Sequence, residues 1–355
     1  MTEKEDKIIK DFGEKENLLD EKQTKNKRIY LIISIIAIIL IFVAVVIILI
    51  FTNSDKKNEE STPGEEAYDD LTQLDTIPVE ELDRARKSFK QFNFTDIVNE
   101  TKYILYNLFI PENYTKNEKL PLIIFISDKS LVGKELEAPL TETIGGPIWA
   151  TDTVQKKHKC FVLVPQYQEG LVSTKAPKSE YLNVTIRLIR SLEIEYNIDS
   201  NRIYGTGQSM GAMTTLYLLA NNPDLFAAGL IADGHWMLDE LYGLVNATFT
   251  FFATAGDPNP YNCQIEVKQY FDSQNIKYGV LDGLDAQEKV ETLNNAAQKM
   301  YDLGYKQNFI SYAKGTVFPP GVSGKSEHMA SFKYDYRIET VRDWIFLQTK
   351  KKLKY

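Results

Sequence analysis

The sequence predicts an α/β fold, a mostly parallel central sheet flanked by helices, preceded by a single N-terminal transmembrane helix. Three observations carry that prediction. Short apolar runs without polar alternation, such as "LPLIIFIS" (Leu120–Ser127) and "CFVLVP" (Cys160–Pro165), have the pattern of strands buried on both faces. Segments with helical spacing separate such runs, and strands alternating with helices build parallel sheets covered on both sides. Near the N-terminus, Ile29–Phe51 holds 23 residues without one charge.

Residues 1–28 form a polar tail with eight acidic and eight basic side chains. The run 29–51, at about 1.5 Å rise per residue, is long enough to cross a hydrocarbon core about 30 Å thick. A cleaved export signal would be shorter and end in small residues, whereas this run ends in "ILIFTNSD". Lys22, Lys25, Lys27 and Arg28 precede it, against Lys56 and Lys57 after it. Positive residues favour the cytoplasmic side, so the tail is expected inside the cell and the rest outside. Residues 52–90 read as a polar linker or stalk, acidic and broken by Pro63-Gly64, with a short helix in "VEELDRARKSFKQF" (Val79–Phe92).

Residues 91–355 carry the texture of one large folded domain. "FNFTDIV" and "TKYILYNLFIP" read as paired strands, followed by the two apolar runs above. "SEYLNVTIRLIRSLEIEYNI" (Ser179–Ile198) has helical spacing at Leu182, Ile186, Ile189 and Ile194. "RIYGT", "AAGLIAD", "ATFTFFATAG" and "NFISYAKG" read as further strands, and "QIEVKQYFDSQN", "VETLNNAAQKMYDLG" and "SFKYDYRIETVRDWIFLQTK" as helices. The polar stretch Lys277–Leu293 is a candidate lid.

Composition narrows the function. Apolar residues make up 43% and charged residues 25%, which is globular rather than disordered. The net charge is −8 and lies entirely after Ser54, which argues against a nucleic-acid partner. Cys160 and Cys263 are too few for a disulfide framework and are expected as two separate buried thiols. No His/Cys cluster has metal-ligand spacing and no glycine loop suits a phosphate, so neither metal nor cofactor is expected. Five N-x-[ST] sequons, at Asn93, Asn99, Asn113, Asn183 and Asn246, matter only if the chain passes through a eukaryotic secretory pathway.

The chemistry concentrates at Gly207-Gln208-Ser209-Met210-Gly211. A G-x-S-x-G pattern alone arises by chance in about one chain in ten of this length. Its context is more telling, with "RIYGT" as a strand before it and "GAMTTLYLLA" as a helix after it. A strand-to-helix elbow needs small residues two before and two after the serine, where a Cβ would clash across the turn. The helix N-terminus also offers free N–H groups to a developing negative charge.

A serine needs a base to take its proton. Of three histidines, His158 in "KKHKC" reads as surface, and His235 in "ADGHW" follows a strand end where it could line a site. His328 in "GKSEHMASF" reads as a loop between the last strand and the last helix, and the order Ser, Asp, His suits that placement. Asp257 in "FFATAGDPNP" is the preferred orienting acid, with Asp233 at the preceding strand end as its rival.

From Phe92 onward, about three quarters of the chain, the set "PLIIFIS", "HKCFVLVPQY", "NRIYGTGQSMGA", "FFATAGDPNP" and "EHMASFKYDYRIETVRDWIF" resembles the α/β-hydrolase superfamily, in particular its esterase and prolyl-oligopeptidase-like branch. The resemblance implies Ser209 as nucleophile, Asp257 as orienting acid and His328 as acid–base. Many relatives carry an H-G-G-type turn after the strand matching "PLIIFI", whereas here the turn is Ser127-Asp128-Lys129-Ser130. The backbone N–H of Asp128 or Lys129 can still donate to an oxyanion alongside Met210, provided that the Asp128 carboxylate points away. Gln208, Gln166, Trp149, His235 and Trp236 are candidate substrate-lining residues.

The expected function is therefore a membrane-anchored extracellular serine hydrolase that cleaves small-molecule carboxylic esters through an acyl-enzyme on Ser209. A serine peptidase with the same three residues is the alternative. Prolyl-oligopeptidase-type peptidases usually carry a large gating domain, and about 260 residues leave no room for one. An inactive surface binding module is a third reading, opposed by the complete Ser, Asp and His set.

Overall fold

The computed structural model describes residues 77–172, 178–322, 324 and 326–350. The expected tail, membrane span and most of the stalk, residues 1–76, lie outside them. Among the described residues no helix is long and apolar enough to cross a membrane.

Within that part, nine strands make one sheet: β1 (Lys90–Thr95), β2 (Tyr103–Phe109), β3 (Leu122–Ile126), β4 (Phe161–Gln166), β5 (Ile203–Gln208), β6 (Ala228–Ala232), β7 (Phe249–Thr254), β8 (Gly279–Leu284) and β9 (Gln307–Tyr312). The spatial order is β1-β2-β4-β3-β5-β6-β7-β9-β8. Only the β1–β2 and β2–β4 pairings are antiparallel; from β4 to β8 neighbouring strands run parallel.

The uniform apolarity of the central strands follows from burial on both faces. In β3, Leu122, Ile124 and Ile126 enter one core while Ile123 and Phe125 enter the other. Each such side chain contributes about 1.5–3 kcal/mol by leaving water. The helices are α1 (Val79–Lys87), α2 (Ala138–Thr141), α3 (Asp152–Lys157), α4 (Tyr181–Glu195), α5 (Met210–Asn221), α6 (Pro258–Ser273), α7 (Val290–Tyr301), α8 (Glu327–Asp335) and α9 (Glu339–Phe346). Side chains of α4, α5 and α6 fill one core, and those of α1, α7, α8 and α9 the other.

Several expectations are corrected. Helix α1, assigned to the stalk, belongs to the folded domain: Ile77, Leu82 and Ala85 are buried in its core, and Glu81 accepts the Thr153 N–H at the start of α3. The candidate lid Lys277–Leu293 is instead the edge strand β8, the turn after it and the start of α7. Three strands separate β8 from β5, and its polarity reflects an edge strand's exposed positions, Val280, Asp282 and Gly283. Ile194 is 85% exposed, because the inward face of α4 runs through Thr185, Leu188, Ile189 and Leu192. The C-terminal helical stretch breaks at Tyr336-Arg337-Ile338 into α8 and α9. Both thiols, Cys160 and Cys263, are buried and unpaired.

Candidate active site

Parallel sheets present functional groups at the carboxyl ends of their strands, and Ser209 sits at that end of β5. Its backbone has φ 50° and ψ −115°, a region that costs a non-glycine residue about 1–3 kcal/mol. The surroundings hold that strain in place. The Ser209 N–H donates to the Ala232 carbonyl at 3.0 Å, tying the turn to the end of β6. A Cβ on Gly207 would lie 2.5 Å from the Gly211 carbonyl carbon, across the turn as expected. At Gly211 the obstacle differs: a Cβ would meet the Ile126 carbonyl oxygen at 1.8 Å. The second glycine thus lets β3, rather than the turn itself, close onto α5.

The three residues singled out from sequence meet here. His328 Nε2 lies 2.8 Å from Ser209 Oγ, and His328 Nδ1 lies 2.5 Å from Asp257 Oδ2. Asp257 is the N-cap of α6, and its other carboxylate oxygen accepts the Asn259 N–H at 3.4 Å. His328 is not in a loop, as expected, but in the first turn of α8, which starts after Ser326 with Glu327 in its acid-favouring N-terminal turn. Burial acts to lower the His328 pKa, but the Asp257 hydrogen bond and the charges of Asp233, Asp257 and Asp128 outweigh it, so the pKa is raised above 6.5.

The rival acid, Asp233, is fully buried and acts on His328 through its charge. It accepts the Thr254 N–H at 2.9 Å and the Ser331 hydroxyl at 2.5 Å, and the same hydroxyl lies 2.9 Å from the His328 carbonyl. Glu327 accepts from Thr254 Oγ1 and from the Gly315 N–H, each at 3.0 Å. A Cβ on Gly256 would fall 1.7 Å from the Glu327 carboxyl carbon, so that glycine lets the Asp257 turn pack on α8. Glu327, Ser331 and Asp335 stand four residues apart on one helix face. That i, i+4, i+8 polar spacing was visible in "EHMASFKYD", but nothing in the sequence marked the face as buried.

The remaining candidates divide. Met210 and Lys129 each begin a helical turn, so neither N–H has an acceptor within its own turn. The Asp128 carboxylate is buried and engaged by Ser130 and Gln208. Gln208 and Gln166 are both buried and bonded to neighbouring chain: Gln208 Nε2 donates to the Asp128 carboxylate, and Gln166 Nε2 to the Leu131 and Lys134 carbonyls. His235 is half-buried, and burial, with Asp257 opposing and His328 assisting, holds its pKa below 6.5. Trp149 is corrected to a core residue, 0% exposed and packed edge-on against Phe346. Phe346 also meets Tyr204 at the amino end of β5, opposite Ser209. Trp236 is likewise buried, against Tyr217. His158, read as surface, is partly covered: its ring stacks on Phe346 and its Nε2 lies 2.8 Å from Asp343.

Comparison with known proteins agrees with this architecture. The model of the prolyl oligopeptidase family matches residues 178–285, a stretch that includes Ser209 and Asp257. Poly(3-hydroxyalkanoate) depolymerase C of Paucimonas lemoignei is 34% identical over 89 residues, 22% of this chain and 21% of that one. The crystal structure of a thermostable esterase superposes with a TM-score of 0.57 at 25% identity, covering 75% of this chain and 64% of that one. The chain thus spans about a fifth of the depolymerase and less than two thirds of the esterase.

Proposed function

We propose that the chain, an α/β-hydrolase by fold and by its relatives, is a serine carboxylesterase held at the cell membrane with its hydrolase domain outside. The observation that carries the chemistry is the continuous contact from Ser209 Oγ through His328 to Asp257. His328 Nε2 takes the serine proton as Oγ attacks the ester carbonyl carbon. The oxyanion is held by backbone N–H groups, that of Met210 and that of Lys129 or Asp128, at the amino ends of their turns. The intermediate then collapses, and His328 returns the proton to the leaving alcohol. Water, activated by the same imidazole, releases the acid and restores Ser209. Asp257 stays ionised, fixing the ring with its Nδ1–H toward the carboxylate.

The esterase and the depolymerase named above favour an ester substrate. The prolyl oligopeptidase family match favours the second reading, an amide substrate at the same three residues. Full-length protein is to be tested with a fluorophosphonate probe, short-chain p-nitrophenyl esters and a proline p-nitroanilide. Labelling and ester turnover lost in both Ser209→Ala and His328→Ala are expected, with the anilide a poor substrate. Ester turnover that survives Ser209→Ala rejects the nucleophile assignment, and anilide turnover exceeding ester turnover selects the peptidase.

A further inference from the structure

The turn after β3 places an acidic residue where an oxyanion must be stabilised, and a carboxylate free to swing there would oppose the reaction. The structure shows where that charge goes. Asp128 Oδ1 accepts the Ser130 N–H at 2.9 Å and the Ser130 hydroxyl at 2.5 Å, while Oδ2 accepts Gln208 Nε2 at 2.8 Å. Both side chains are buried. Gln208 immediately precedes Ser209, so this bond joins the turn after β3 to the elbow. The far side of the turn is fixed independently, with Gln166 Nε2 donating to the Leu131 and Lys134 carbonyls at 2.7 and 2.8 Å and the Gly133 N–H donating to the Tyr167 carbonyl at 2.8 Å. The Ile126 carbonyl is pressed on Gly211 at the start of α5. The Lys129 turn and the Met210 turn are therefore braced against one another.

We propose that Asp128 and Gln208 are positioning residues: their hydrogen bond turns the Asp128 carboxylate away from the reacting carbonyl and aims the Lys129 backbone N–H at the forming oxyanion beside that of Met210. This deepens the esterase reading and rests on it. A buried amide–carboxylate bond suits the task, because it is directional and, with Ser130, engages both Asp128 oxygens. The turn thereby supplies, by a side-chain latch, an orientation that a glycine turn would have to reach by backbone conformation alone.

The test is a charge-conserving swap in the full-length protein, read with p-nitrophenyl acetate and thermal unfolding. Gln208→Glu sets two carboxylates against each other, and kcat is expected to fall about 10²-fold. KM should stay within about twofold, because the lost interaction forms in the transition state. Adding Asp128→Asn restores a donor–acceptor pair with the polarity reversed, and kcat is expected to return to within about fivefold of wild type. Wild-type kcat in Gln208→Glu, a lowered melting temperature with kcat unchanged, or a double variant no better than the two single losses multiplied together overturns the latch. Ester turnover retained in Ser209→Ala overturns the underlying esterase reading instead, so the two failures are distinguishable.

Discussion

At the scale of single residues, the site is set by charges that surround one imidazole. Asp257 hydrogen-bonds His328, and Asp233 and Asp128 add their fields, so the imidazolium is favoured despite burial. In the proposed mechanism His328 must be neutral to act as the base, so activity is expected to fall as pH drops through this raised pKa. The acid limb of kcat/KM for ester hydrolysis is expected above pH 6.5, the ordinary histidine value. Asp257→Asn removes the strongest of the opposing influences and leaves burial less opposed. Its limb should move to lower pH, and kcat should drop by as much as about 10⁴-fold, because the ring is no longer fixed in the productive tautomer. A pH–rate profile of both proteins checks this, and a limb that does not move would remove Asp257 from the relay. The stability linkage has the opposite sign from an ordinary carboxylate. A histidine with a raised folded pKa contributes stability below its unfolded pKa and loses it as pH rises through the folded one. Acid that silences the reaction therefore does not, through His328, unfold the domain.

At the scale of elements, helix α8 carries His328, the proposed base, and is docked by a polar stripe. Ser331 bonds Asp233, Glu327 bonds Thr254 and the Gly315 N–H, and Asp335 lies fully buried with the Asp233 carboxylate facing it. Burial first, then that neighbouring carboxylate, pushes the Asp335 pKa far above the usual range; burial also pushes Asp233 up to about 6, against Ser331 and His328. His328 and Asp257 also act on Asp233, and the buried Tyr312 and Tyr336 feel the Asp335 carboxylate. Acids with raised folded pKa values bind more protons folded than unfolded, so this pair weakens the fold as pH rises from about 4, by at most about 1.4 kcal/mol per pH unit for each group. Asp335→Asn keeps the size of the side chain and removes one titration. The variant should match wild type near pH 4 and melt higher at pH 8, as thermal unfolding at the two values would show; an unchanged difference between them would mean that Asp335 carries no such burden. These contacts also mark what was legible in the sequence. The order of strands and helices, the elbow glycines and the Ser209, His328 and Asp257 set were readable, because both-face burial leaves uninterrupted apolar runs and the elbow imposes fixed spacings. Trp149 was misplaced and β8 missed for one reason: which end of the sheet a long connection returns to, and which polar run pairs at an edge, are tertiary facts with no local signal. The α8 stripe was hidden because buried polar residues are patterned like exposed ones.

At the scale of the whole molecule, the proposed span and the folded domain make separate demands. Nineteen of the 23 residues in Ile29–Phe51 are Ile, Leu, Val or Phe. Each contributes about −0.3 to −0.6 kcal/mol near a membrane centre, and no charge in the run opposes insertion. Among the described residues both cores are filled by the domain's own side chains, and the stretch that leads into α1 begins to be buried at Ile77, in one of the two cores. Anchoring and turnover should therefore separate cleanly. Full-length protein is expected in the membrane fraction, resisting high salt and alkaline carbonate and released by detergent. A variant lacking residues 1–51 should be soluble and retain kcat/KM for p-nitrophenyl esters within about twofold, because nothing made in the transition state is lost. Orientation is read by adding protease to intact cells. With Lys22, Lys25, Lys27 and Arg28 before the span against Lys56 and Lys57 after it, the domain is expected to be shaved from outside while the tail stays protected. Full-size protein recovered from the medium or the soluble fraction would reject the anchor, and a domain protected in intact cells would reverse its orientation without touching the chemistry.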